Sequence, residues 1–369
     1  MAAPVPPSLF WRAPLCPWVR YDRHRFRLQS QPATREFTDG EKYGLIALPN
    51  IQVDDALPPE LQLAPDLWVT RSLPMALDSF WHEQLGRLQA SLVEKASLYL
   101  IAKGPSQKPD LLDDDNRKYQ NRAHDLYWDL MLTGFLWVPW GSPLQLSGAK
   151  LPSGFDVRSV GEMDSPQRTP GTPIAAIDQQ RLSSAASLAD TFPSLTGEKK
   201  HKRFWNITHS FSGGITSRLV EDRLHQFVRC IEGFIYPDIG KTERQFKSRT
   251  ELFIGPCHHD LMGKLYELRS EVEHLHDPLF KLDAPTPRER IIALFCKAYE
   301  AEAIAQYCIE RFLNCEDLWP HFQDDLALQQ FWQLSLSDRE TLWGDKLNIE
   351  RVSKAFEGSL IRDEDIGLP

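Results

Sequence analysis

Hydrophobic and polar residues follow two different patterns along this chain. In the first half, short apolar runs closed by Pro or Gly predict strands at KYGLIAL (42–48) and ASLYLIAKG (96–104). Between them Leu77, Phe80, Trp81, Leu85, Leu88 and Leu92 recur near helical spacing and predict a helix over 76–94. A second helix is expected from about 121 to 135, followed by Pro-punctuated strands LQLSG (144–148) and DVRSVGEM (156–163).

The second half has the longer period of amphipathic helices. From 217 to 236, Val220, Leu224, Phe227, Val228, Ile231 and Ile235 form one face, and Pro237 ends it. A shorter, more basic helix is expected over 241–254, and a third over 260–274, where Leu261, Leu265, Leu268 and Val272 make one stripe. The longest helix should run from Pro287 to Leu313, with Ile291, Leu294, Phe295, Ala298, Ala305, Cys308 and Phe312 inward, and a last one from about 322 to 336.

Proline sharpens the division. Twenty of the 27 prolines lie at or before Pro193, so long helices belong to the second half. The segment 165–200, rich in Ser, Thr, Pro, Gly and Ala, reads as a partly flexible connection holding at most a short helix over 178–188. The fold class is therefore α+β. A mixed α/β N-terminal domain (1–190) with a sensing or substrate-selecting role is followed by a connection (165–205), an all-α bundle of four to five helices (206–336) and a C-terminal extension (337–369).

With 42% hydrophobic and 25% charged residues, the 369-residue chain is of ordinary globular composition. Its net charge of -9 excludes a protein that coats nucleic acid by bulk charge, so any polyanion must meet a local patch. The six cysteines form no C-x-x-C pair, and no leader or membrane span is evident, which predicts a cytoplasmic protein with reduced thiols and no membrane partner. Walker, dinucleotide and G-x-S-x-G motifs are absent, and no cofactor is expected. CHHD (257–260) carries zinc-ligand types, but consecutive residues rarely converge on one ion, and no metal site is assigned. The tryptophans Trp11, Trp18, Trp81, Trp128, Trp137 and Trp140 read as core or interface.

The most informative stretch is DLMGKLYELRSEVEHLHDP (260–278), which places Arg269 five residues before His274 where a helix nears a turn. Arg-x(4 to 6)-His spacings occur five times in the chain, Arg218 to His225 among them, so spacing alone does not single out this pair. Its position on the third bundle helix does, together with RQFKSRTELFIG (244–255) and the long helix after a Pro-rich turn. On these features residues 210–335 resemble the Apea-like branch of the HEPN superfamily, which carries an R-x4-H motif at this place. Many such sequences follow the histidine with glycine, whereas this chain has Leu275 and then His276.

The resemblance implies a homodimeric, metal-independent endoribonuclease in which the RNA 2′-hydroxyl attacks the adjacent phosphate, acting in defence or stress responses. It implies His274 as general acid or base, Arg269 as phosphate binder and Ser270 as an orienting group, with His276 a further candidate. Any regulatory partner is undefined. Five helical steps turn the chain by about 500°, so Arg269 and His274 do not share a face of a continued helix. The alternative is a non-catalytic module binding RNA, a nucleotide or a protein, with Arg269 paired to Glu273 and His274 merely ending the helix. Two basic tracts could meet RNA, or be only solvated faces. They are Lys199, Lys200, Lys202 and Arg203 beside Phe204 and Trp205, and Lys241, Arg244, Lys247 and Arg249.

Overall fold

The computed structural model describes residues 37–363 except 135, 137, 139, 140, 168, 173–175 and 197–199. Lys199, Cys16, Trp11, Trp18, Trp137 and Trp140 lie outside the described residues. The first half contains β1 (Glu41–Leu48), β2 (Glu60–Ala64), β3 (Leu67–Thr70), α1 (Ser79–Glu94), β4 (Leu98–Pro105), α2 (Asp114–Leu132), β5 (Leu144–Leu151) and β6 (Gly154–Glu162). The strands form one antiparallel sheet in the order β2-β3-β4-β1-β5-β6.

Period-two alternation on the central strand feeds two cores. Tyr43, Leu45 and Ala47 pack with Ala90 and Val93 of α1, while Ile46 and Leu48 face the cluster holding Ala123, Leu126 and Tyr127 of α2. Gly44 permits that second contact, because a Cβ there would lie 2.4 Å from the Tyr119 carbonyl oxygen. Helix α2 begins earlier than its apolar periodicity predicts. Asp113 and Asn116 form a reciprocal cap, so the helix starts about two turns before that periodicity. Helix α1 is broken at Gly86, whose φ of 70° is not helical.

Where the sequence suggests a partly flexible connection, α3 (Gln179–Thr196) is a full helix that buries Leu182, Leu188, Phe192 and Leu195. It is followed by α4 (Lys202–Thr216), α5 (Val220–Ile235), α6 (Thr242–Arg249), α7 (Glu251–Ile254), α8 (His259–Glu273) and α9 (Pro287–Leu313). Helices α10 (Asp325–Gln333), α11 (Leu336–Trp343) and α12 (Ile349–Ala355) close the described chain, the last two within the expected extension. The single basic helix expected over 241–254 is two, divided at Thr250, whose hydroxyl donates to the Phe246 carbonyl at 2.7 Å.

Helix α4 is not anticipated by the reading of its first residues as the end of a linker. Phe204, Ile207, Phe211 and Ile215 nonetheless make a buried stripe on it. Its axis comes close to α5 because Gly233 faces Ile207, where a Cβ would sit 2.4 Å from Cγ1. One apolar cluster runs from Leu126 of α2 through Leu182 of α3 to Phe204, Phe227 and Ile304, so sheet and helices are built on a common core. No helix among the described residues is long and apolar enough to cross a membrane.

Candidate functional site

The site is set by α5 and α8 lying side by side. The apolar stripe of α5 turns Leu224, Phe227, Val228 and Ile231 into the core and leaves His225, Arg229 and Glu232 on another face. Arg269 of α8 meets that face, with Nη2 3.3 Å from Glu232 Oε2 and 3.6 Å from Glu273 Oε2. Glu273 in turn accepts from His225 Nε2. The Arg269 Nε–H is buried and has no hydrogen-bond partner among the described residues, so the guanidinium is held without being saturated.

The charges perturb one another in definite directions. Burial raises the Glu232 carboxyl, against the lowering effect of the Arg269 charge. Glu273 is lowered, first by the hydrogen bond from His225 and then by the Arg269 charge. The result is a half-buried row of linked groups, running from His225 through Glu273 and Arg269 to Glu232.

His274 is not part of that row. It caps α8, and the turn beyond it is a Schellman motif in which the His276 N–H reaches the Glu271 carbonyl at 2.8 Å and the Leu275 N–H reaches Val272 at 3.0 Å. Leu275 adopts the left-handed conformation this motif demands, with φ of 60°. The His274 ring is exposed and lies 6.2 Å from that of His276, which pairs through Nδ1 with Glu271 at 3.1 Å. Among the described residues no hydrogen bond joins Arg269 to His274. Ser270, one step round the helix from Arg269, lines a separate hollow of about 590 Å³ with Glu243 and Lys247.

The first basic tract and Arg269 do converge. Lys202, Arg203, Arg229 and Arg269 line one groove of about 1000 Å³, with Asn206 and Tyr266 among its walls. Arg203 is engaged by Asp325 at 2.7 Å and lies 4.3 Å from the centre of the Tyr236 ring. Lys202 and Arg229 are exposed and have no ion-pair partner among the described residues. Glu232, Asp324 and Asp325 keep the groove only slightly positive. Lys200 is exposed and is not among the groove-lining residues.

The second basic tract disperses. Lys241 and Lys247 pair with Asp238 at 3.7 Å and Glu243 at 2.6 Å. Arg249 donates to the Ile235 and Tyr236 carbonyls at 2.7 and 2.6 Å, closing the end of α5, and Arg244 lines another hollow. Around CHHD, His259 pairs with Glu251 at 2.6 Å, and no group of ligating side chains among the described residues is arranged to hold a metal.

Sequence reasoning missed His225, Arg229 and Glu232. The available signal was their i, i+4, i+7 spacing on the polar face of α5, but only folding assigns that face to Arg269. Comparisons with family models, curated proteins and solved structures find no match.

Proposed function

We propose that the helical half is a metal-independent endoribonuclease of the HEPN kind that the R-x4-H stretch resembles, acting as a homodimer and as a cytoplasmic defence or stress effector. The observation that carries this reading is the gathering of Lys202, Arg229 and Arg269 in one groove. These are donors suited to successive phosphates and to the extra charge of a phosphorane. In the reaction the 2′-oxygen bonds to phosphorus and the bond to the 5′-oxygen breaks. A base takes the 2′-hydroxyl proton and an acid protonates the departing 5′-oxygen. The products are a 2′,3′-cyclic phosphate and a 5′-hydroxyl. Two proton carriers are needed, and His274, exposed at the tip of α8, can be supplied once by each copy of a dimer.

A second reading, a non-catalytic module that binds RNA, a nucleotide or a protein, is favoured by the ion pairs that already hold Arg269 to Glu232 and Glu273. RNA incubated with the protein in EDTA, followed by mapping of product ends, separates the two. The nuclease reading expects cyclic phosphate ends that vanish in Arg269→Ala and His274→Ala. Equal cleavage by wild type and both variants, or no cleavage by any, leaves the binding reading.

A further inference from the structure

A third hollow, of about 490 Å³ and lined from α6, α7, α11 and their flanking turns, carries an excess of positive charge. Arg244, Arg249, Arg339 and Lys346 border it against two acids, Glu251 and Glu340, in a chain whose net charge is -9. Both acids are already engaged, Glu251 by His259 at 2.6 Å and Glu340 by Lys346 at 2.7 Å.

The cations are not equivalent. Trp332 donates its indole N–H to the Phe234 carbonyl at 3.1 Å and so fixes a ring over which Arg249 and Arg339 lie, at 5.1 and 5.3 Å from its centre. Arg249 spends its donors on the carbonyls that end α5. Arg339 has no carboxylate within 4.0 Å among the described residues, and its Nε–H is buried without an acceptor. Arg244 and Ser248 are exposed, with no side-chain partner among the described residues. Arg339, held against that ring with an unsatisfied buried donor, and the exposed Arg244 are therefore cations that no carboxylate reaches within 4.0 Å among the described residues. Apolar lining comes from Leu252, Pro256 and Leu336.

We infer that this hollow binds a phosphate monoester of nucleotide size, its phosphate against Arg244, Ser248 and Arg339 and its organic part against Leu252, Pro256 and Leu336. An excess of two cations matches the nearly doubly charged monoester better than the singly charged diester of an RNA backbone. The volume lies in the range of small-molecule sites. Arg244 thereby belongs to a ligand pocket and not to the RNA tract expected for α6.

Calorimetric titration of the full chain tests this with inorganic phosphate, adenosine 5′-monophosphate and adenosine. The monophosphate should bind at least tenfold tighter than inorganic phosphate, and adenosine should not bind. Arg244→Ala and Arg339→Gln should each weaken the monophosphate at least tenfold. Because Arg244 is exposed and unpaired, its variant should keep the wild-type melting temperature without ligand, which separates lost binding from lost folding. Absence of binding by both phosphate probes at millimolar concentration overturns the proposal, as does affinity unchanged in Arg244→Ala. So does displacement of the monophosphate by an RNA oligonucleotide with hydroxyl ends at equal affinity, which would make the pocket a reader of diesters.

Discussion

Two lysines buried in the sheet half and the unpaired cations around the helical hollows are used in opposite ways. In the sheet, Lys42 and Lys103 sit on the neighbouring strands β1 and β4 and are fully enclosed, with side chains 0% and 2% exposed. Lys42 reaches Asp113 at 2.5 Å, and Lys103 reaches Glu41 at 2.9 Å while lying over the rings of Phe37 and Trp68. In the helices, Lys202, Arg229, Arg244 and Arg339 stand around hollows without acidic partners among the described residues. The first arrangement is a condition of folding, because a buried ammonium stripped of its acid costs several kcal/mol. The second leaves donors for a ligand. The sign of a residue therefore says little about its role until its partner is known.

The sharpest way to break this comparison is Lys103→Ala. Removing the buried ammonium that reaches Glu41 should destabilise the fold by about 3–5 kcal/mol in urea unfolding. A loss below about 1 kcal/mol would place Lys103 with the dispensable surface charges.

Glu310 sharpens it from the other side, as an acid within α9 whose nearest donor is an amide, Gln306 Nε2 at 2.7 Å. Burial pushes its carboxyl up to about 7, above the unfolded value. The folded state then binds the extra proton, so the contribution of Glu310 to stability is most favourable below about pH 4.5 and declines as pH rises toward 7. Glu310→Gln should remove that decline and stabilise the protein at pH 8 by about 2 kcal/mol. Parallel pH profiles for wild type and variant would show that Glu310 titrates normally.

A smaller effect is expected at the tip of α8. Leu275 is 93% exposed and left-handed, with φ of 60°, so Leu275→Gly relieves backbone strain and should raise stability by about 0.5–1 kcal/mol. A melting temperature below that of wild type would mean that the leucine is held by contacts worth more than the strain.

How far the sequence revealed this molecule depends on how local each signal is. β1, β4, α5 and α9 were legible because a short apolar run closed by Pro or Gly, a six-residue apolar face or a long apolar stripe starting at Pro287 is written within one segment. Helix α4 was not, because its basic start and Gly213-Gly214 mask the stripe of Phe204, Ile207, Phe211 and Ile215. α3 was hidden by small residues whose burial depends on what packs over them. At the site, Arg269 was legible as a charged residue on the third bundle helix, and its pairing with Glu273 as an i,i+4 relation. Its contact with Glu232 spans two helices and could not be read from either. The same holds for Lys202 and Arg229, which meet in one groove only after α4 folds back along α5.

The central claim is that Lys202 and Arg229 of the helical half are free for phosphate while Lys42 and Lys103 of the sheet are spent on the fold. RNA affinity measured against salt concentration for wild type and the Lys202→Ala/Arg229→Ala double variant tests it most directly. Each lost single-strand phosphate contact removes about 0.7 from the slope of log affinity against log salt, so the double variant should be shallower by about 1.4. Its unfolding free energy should stay within about 0.5 kcal/mol of wild type. An unchanged slope, or a double variant that loses stability as Lys103→Ala is expected to, would contradict the account.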